Sequence, residues 1–215
     1  MSTLSALLTS WPGPLLAPLI LLPLITLALP KQVGALAAIF SKGIDHISGA
    51  ALRVAMVFAF AIIVIQLAAV LLRYVFGLSF SWLNDSVIFS FASIFMLGAA
   101  ATLRDDGHVR VDILRPRFSP AGRAIIELLG ALIFVFPICW LILNADLSGL
   151  LRSWRILEPF NESDGLPVRY LFKSLVSGFA LLLLLQALSQ ALKAALSLRG
   201  IRPYEDSAHD HGGAV

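Results

Sequence analysis

The sequence predicts an all-α integral membrane protein: four core transmembrane helices, an extra N-terminal apolar helix and an interfacial amphipathic helix. Three observations carry that expectation. Of 215 residues, 59% are hydrophobic and only 13% are charged, with a mean hydropathy of +0.89. A soluble domain carries about 25% charged residues, so a water-facing surface is underprovided here. Four apolar runs are long enough to cross a hydrocarbon core, which takes roughly 20 residues. The basic residues fall between these runs rather than in a cluster.

The runs are Val54 to Leu72, broken only by Gln66; Ser86 to Leu103, without charge; Ala124 to Leu147, with Glu127 near its start and Pro137 in its middle; and Ser174 to Leu192, dominated by Leu181 to Leu185. Residues 1–30 come before them and contain no charged side chain, but they do contain Pro12, Pro14, Pro18, Pro23 and Pro30. Membrane helices tolerate proline better than soluble ones, so this block reads as a first span, with a re-entrant or surface segment as the alternative. A secretory signal would need a basic n-region, which this block lacks. Over residues 33–47, Val33, Leu36, Phe40, Ile44 and Ile47 share one helical arc, and Lys42 and Asp45 lie opposite. That pattern suits a helix lying in the membrane interface. Residues 203–215 are small and polar and read as a disordered tail. The expected organisation is therefore 1–49 as apolar and amphipathic N-terminal part, 50–195 as four-helix membrane domain, and 196–215 as cytoplasmic tail.

Orientation follows from Lys and Arg. One set of connections holds Lys31, Lys42, Arg53, Arg104, Arg110, Arg115, Arg117, Arg123, Lys193, Arg199 and Arg202, eleven of the sixteen basic residues. The other set holds Arg73, Arg152, Arg155, Arg169 and Lys173. The richer side is expected to be cytoplasmic, with the C-terminus on it.

Several function classes find no support. Dispersed basic residues and a net charge of +3 give no nucleic-acid footprint. The single Cys139, inside an apolar run, excludes an internal disulfide framework and reads as buried filler. His46, His108, His209 and His211 lie in connections or the tail, so no axial pair for a membrane haem exists. His108 beside scattered acids is poor ligand geometry. No cofactor or metal is expected. Polar, broken helices at mid-membrane, which ion-coupled carriers use, are missing: the runs hold little beyond Gln66, Ser90, Ser93, Asn144 and Gln186. Glu127 lies near the end of its run with Arg123 four residues earlier, an ordinary i,i+4 pair.

Three constellations remain. Arg73-Tyr74-Val75-Phe76-Gly77 with Trp82-Leu83-Asn84-Asp85 joins the first two core runs; taken singly, Trp82 suits an aromatic belt and Asp85 a helix start. Arg104-Asp105-Asp106-Gly107-His108-Val109-Arg110-Val111-Asp112 forms a charged connector with an alternating apolar edge. Ser153-Trp154-Arg155 precedes Glu162-Ser163-Asp164-Gly165-Leu166-Pro167 and Lys173; Gly165 and Pro167 mark a turn, and Lys173 can reach headgroups.

In this order, with Leu97-Gly98-Ala99-Ala100 between the first two, these pieces resemble the small permease subunit (Q subunit, DctQ-like) of tripartite ATP-independent periplasmic (TRAP) transporters, over about residues 50–195. The later pieces look like its mannitol/chloroaromatic-type branch. The sequence departs from the pattern at Asn84-Asp85, where Glu-type acids usually follow the tryptophan, and in its first apolar block. The resemblance implies four membrane helices and a large membrane subunit (M subunit) that carries the substrate and sodium sites. It also implies a periplasmic substrate-binding protein and a scaffolding rather than catalytic role in organic-acid uptake. Membrane lipids are the remaining partner, and nucleic acid is not one. Candidate subunit-interface residues are Arg73, Trp82, Asp85, Arg104, His108, Arg110, Asp112, Trp154, Gly165, Pro167 and Lys173. The alternatives are a membrane anchor for a redox enzyme, which would need His or polar quinone-site clusters in the spans, and an independent small transporter.

Overall fold

In the computed structural model, residues 13–105, 118–160 and 164–200 are described, and they are helical with short connections. Five helices follow one another: α1 (Gly13–Ala28), α2 (Pro30–Phe76), α3 (Ser81–Arg104), α4 (Pro120–Ile156) and α5 (Arg169–Leu198). The last four are long and apolar enough to cross a membrane, matching the four core runs. Each extends past its run, because polar and aromatic side chains at a helix end lower hydropathy without breaking the helix. The tail expected from residue 196 begins later: residues 196–198 complete α5 with Leu196 buried, and residues 201–215 lie outside the described residues.

The largest difference from the sequence reading is α2. Residues 33–47 and 54–72 form one helix of 47 residues, about 70 Å long. Nothing between them can stop a helix: no proline follows Pro30, and Ser48 to Arg53 offers only Gly49 as a weak breaker. The amphipathic stretch is present but joins the span without a break, and the expected boundary at residue 49 falls inside it. Its faces are used in an unexpected way. Ala37, Ser41, Ile44 and Ser48 are buried against the protein, whereas Leu36, Phe40 and Ile47 are exposed. In lipid, apolar side chains are at home outside, and the inward face can be small and polar.

The N-terminal block forms α1, 16 residues or roughly 24 Å. Its Pro23 and Thr26 are fully buried. The C-terminal end of α1 is held by Arg199 Nε, which donates to the Leu27 carbonyl at 2.7 Å.

Helix α4 contains one turn of π-helix, Ala131–Val135. Pro137 accounts for it: its ring excludes a normal bond to the carbonyl four residues back, and a wider turn takes up the strain. Helix α5 is the hub and touches each of the other four. Its second half is buried on nearly all sides, including Ala187, Leu188, Ser189, Ala191, Leu192, Ala194 and Ala195. The alanines and Ser189 among them let backbones approach closely where no hydrophobic force drives helices together. Cys139 is buried in the same core with Phe136 and Leu184.

In α3, Ala100 and Ala101 are buried. Gly98 and Ala99 instead line a groove of about 470 Å³ together with Ala55, Ala59 and Phe95. The small-residue face therefore divides between internal packing and open surface.

The turn between α2 and α3 depends on Gly77, with φ 68°, and both Gly77 and Leu78 donate to the Leu72 carbonyl. A side chain in this left-handed conformation costs about 1–2 kcal/mol. Gly77→Ala is expected to lower unfolding stability in detergent by that amount while leaving insertion intact; unchanged stability would remove the turn's role.

Candidate functional site

Polar side chains gather at the two ends of the bundle. At the end where α3 and α5 finish, the hub is Asp45 on α2. Its Oδ1 accepts from Gln186 Nε2 at 3.0 Å and from Ser189 Oγ at 2.9 Å. Its Oδ2 pairs with Lys193 Nζ at 2.7 Å. Its backbone carbonyl accepts from Arg104 Nη1 at 3.0 Å, so α3 is tied in as well. Ser48 Oγ donates to Gln186 Oε1 at 2.6 Å, and the Ser41 and Ser189 hydroxyls bond at 2.9 Å. Gln190 Nε2 reaches the carbonyls of Leu103 and Arg104, which end α3. Arg104 also pairs with its neighbour Asp105. Three helices are thus fastened by one carboxylate and its partners. Sequence reasoning set Asp45 on a headgroup-facing side. The missed signal was Ser41, Ser48 and Asp45 on one side of α2, with Gln186, Ser189 and Lys193 on α5.

At the other end, the connection from α4 to α5 is latched onto the start of α3. The N-cap residue of α3, Phe80, supplies no side-chain cap. Asp164, 83 positions away, accepts from Ser81 N–H at 2.9 Å and serves instead. In return Asp85, 8% exposed, accepts from Leu166 N–H at 3.0 Å. The loop closes on itself through Phe160 N–H to the Leu166 carbonyl. Beneath it, Glu158 binds Lys173 at 2.6 Å and Arg169 at 3.5 Å. Ser153 donates to Glu158 and accepts from Lys173. Trp154 donates to Ser174 at 2.9 Å and meets Tyr170 edge-on at 4.8 Å. Ser177 adds a bond to Asp146 between α5 and α4.

The Lys173 ammonium holds the Glu158 carboxyl below its ordinary range, and the Ser81 N–H does the same for Asp164. A depressed folded pKa gives stability that is complete above the unfolded value, about 4, and lost as pH falls through the folded one. The melting temperature should stay flat from about pH 5 to 8 and fall below about pH 4, and Glu158→Gln should shrink that fall. An equally steep acid limb in the variant would contradict the assignment.

Of the sequence-derived candidates, Asp85, Trp154, Gly165, Pro167 and Lys173 come together in this latch or its margin. Arg73 and Trp82 lie at its edge: Arg73 donates to Ser79 at 3.1 Å, and Trp82 is exposed beside Phe80. Arg104 belongs to the opposite end. His108, Arg110 and Asp112 lie outside the described residues. Arg123 and Glu127, expected as an i,i+4 pair, both engage in interactions.

Within the spans, Ser93 and Thr102 donate to backbone carbonyls of their own helix, those of Phe89 and Gly98. Among the described residues no group of three or more His, Cys, Asp or Glu side chains could hold a metal. The family model described as "Tripartite ATP-independent periplasmic transporters, DctQ component" matches residues 62–196. No curated protein and no solved structure compared with the chain matches it.

Proposed function

Since the chain belongs to the DctQ-component family of tripartite ATP-independent periplasmic transporters, and is thus the small membrane subunit of such a transporter, we propose that it scaffolds the large subunit for cation-driven, binding-protein-dependent uptake of organic acids. The observation that carries the scaffolding role is the closure of the two polar networks. Asp45, Gln186, Ser189 and Lys193 at one end, and Asp85, Glu158 and Lys173 at the other, are committed to holding helices together. Groups bonded in this way are placed to hold the bundle together, which supports a scaffold better than a cargo site.

The large apolar side chains of α2 that face outward, such as Val57, Phe60 and Ile63, then serve lipid or the large subunit. The proposed subunit contacts are Arg73, Trp82, Asp85, Arg104, His108, Arg110, Asp112, Trp154, Gly165, Pro167 and Lys173. Asp85 and its latch are assigned to the periplasmic side, where they meet the binding protein; Arg104 and residues 108–112 are assigned to the cytoplasmic side. The membrane is the bacterial inner membrane, with the C-terminus cytoplasmic. The run from Ser153 to Lys173 supports the mannitol/chloroaromatic-type branch, and with it small 2-oxo or hydroxy carboxylates.

An affinity-tagged chain purified from its native membrane should bring down a much larger multi-span protein in stable stoichiometry. Recovery as a lone membrane protein under mild detergent would refute the scaffold. A reporter after Val215 should be active only in a cytoplasmic assay and one near Asp164 only in a periplasmic assay; the reverse pattern would invert the orientation.

A further inference from the structure

The hairpin end of α2 and α3 carries a cleft that no internal network uses. It has a volume of about 190 Å³, and its polar lining is Gln66, Arg73, Tyr74, Ser79 and Asn84. Gln66 and Val70 also line a second, apolar cleft along α2 with Ile62, Ile63 and Leu67. The two therefore adjoin at these residues: a polar mouth beside an apolar groove.

Charge decides what could fill the mouth. Among the described residues no carboxylate lies within ion-pair distance of Arg73, and its guanidinium makes one hydrogen bond, to Ser79. An arginine has five N–H donors, so this one has unused capacity for an anion. No acid is part of the lining; the nearest in sequence, Asp85, is turned to Leu166 N–H. Phosphate is welcome there, whereas an ammonium in the same mouth would find no counter-charge. Length decides what could fill the groove. From Arg73 back to Ile62 is roughly 16 Å of helix, close to half the ~30 Å hydrocarbon core and so to one leaflet.

We propose that this cleft binds one phospholipid with a net-anionic headgroup, its phosphate on Arg73 and an acyl chain along Ile62, Leu67 and Val70. Gln66, Ser79 and Asn84 supply amide and hydroxyl groups for the glycerol of such a headgroup. This site adds to the scaffold role and does not depend on it.

The test is native mass spectrometry on the full-length chain, delipidated and then offered phosphatidylglycerol or phosphatidylcholine of the same acyl composition. The wild type should retain phosphatidylglycerol about fivefold over phosphatidylcholine, the gain expected from one basic residue at an anionic surface. Arg73→Gln should abolish that preference, and Arg73→Lys should keep most of it. Val70→Trp, which fills the groove, should reduce retention of both lipids. Glycerol phosphate in excess should not displace the lipid. Equal retention of the two lipids by the wild type would overturn the proposal, as would undiminished preference in Arg73→Gln. Displacement by glycerol phosphate would overturn it too, as it would make the cleft a site for free anions.

Discussion

Replacing Asp45 with leucine is expected to lower the stability of the chain by about 3 kcal/mol, the largest effect of any single substitution considered. The carboxylate is shared by Gln186, Ser189 and Lys193, and its removal strands an ammonium and two polar groups at once. Hydrogen bonds to a charged group contribute about 1.5–3 kcal/mol each, and breaking a buried ion pair costs about 3–5 kcal/mol. The lower figure applies here because the Lys193 side chain is 40% exposed and its ammonium can swing toward water. The double variant Asp45→Leu with Lys193→Met should recover part of the loss, since no charge is then left behind. Unfolding in mixed micelles measures both. A loss below about 1 kcal/mol would mean the network is an ordinary solvated surface pair.

The second large effect is expected at Asp85. Asp85→Ala should cost about 1–3 kcal/mol, because the Leu166 N–H loses its acceptor in a partly buried position. Asp85→Asn keeps an acceptor of similar shape and should cost much less. Hydrogen exchange across residues 164–168 provides the second reading: it should rise in the alanine variant and stay near wild type in the asparagine variant. The measurement also separates structure from partner contact. If Asp85→Asn folds normally, retains its large partner and loses uptake, the carboxylate itself meets the binding protein. If both variants exchange like the wild type, the latch does not hold the loop.

How much of this was legible in the sequence differed by residue. The four spans followed from hydropathy, because only a helix satisfies its own backbone in lipid. Pro137 stood in the middle of its run and Gly77 in the stretch joining the first two core runs, but the π-turn and the left-handed turn they bring emerged only in the structure. Asp85, Trp154 and Lys173 stood out as polar or aromatic side chains at span ends, and the structure gives each a partner there. What stayed hidden was pairing across long separations. Nothing local says that Asp164 caps a helix beginning at Ser81, or that Ser48 meets Gln186. Asp45 was misread for a further reason. Periodicity shows that two faces of a helix differ, but not which one looks inward, and a membrane reverses the soluble rule. Asp45 therefore faces protein beside Ser41 and Ser48, whereas Lys42 stays exposed and Leu36, Phe40 and Ile47 face outward.

The central claim is that the chain assists transport without performing it, and uptake by reconstituted vesicles tests that most directly. Vesicles containing this chain alone, under an inward sodium gradient and supplied with a binding protein and labelled carboxylate, should accumulate no more label than empty vesicles. Adding the large subunit should restore uptake. Sodium-dependent accumulation by the lone chain would contradict the account.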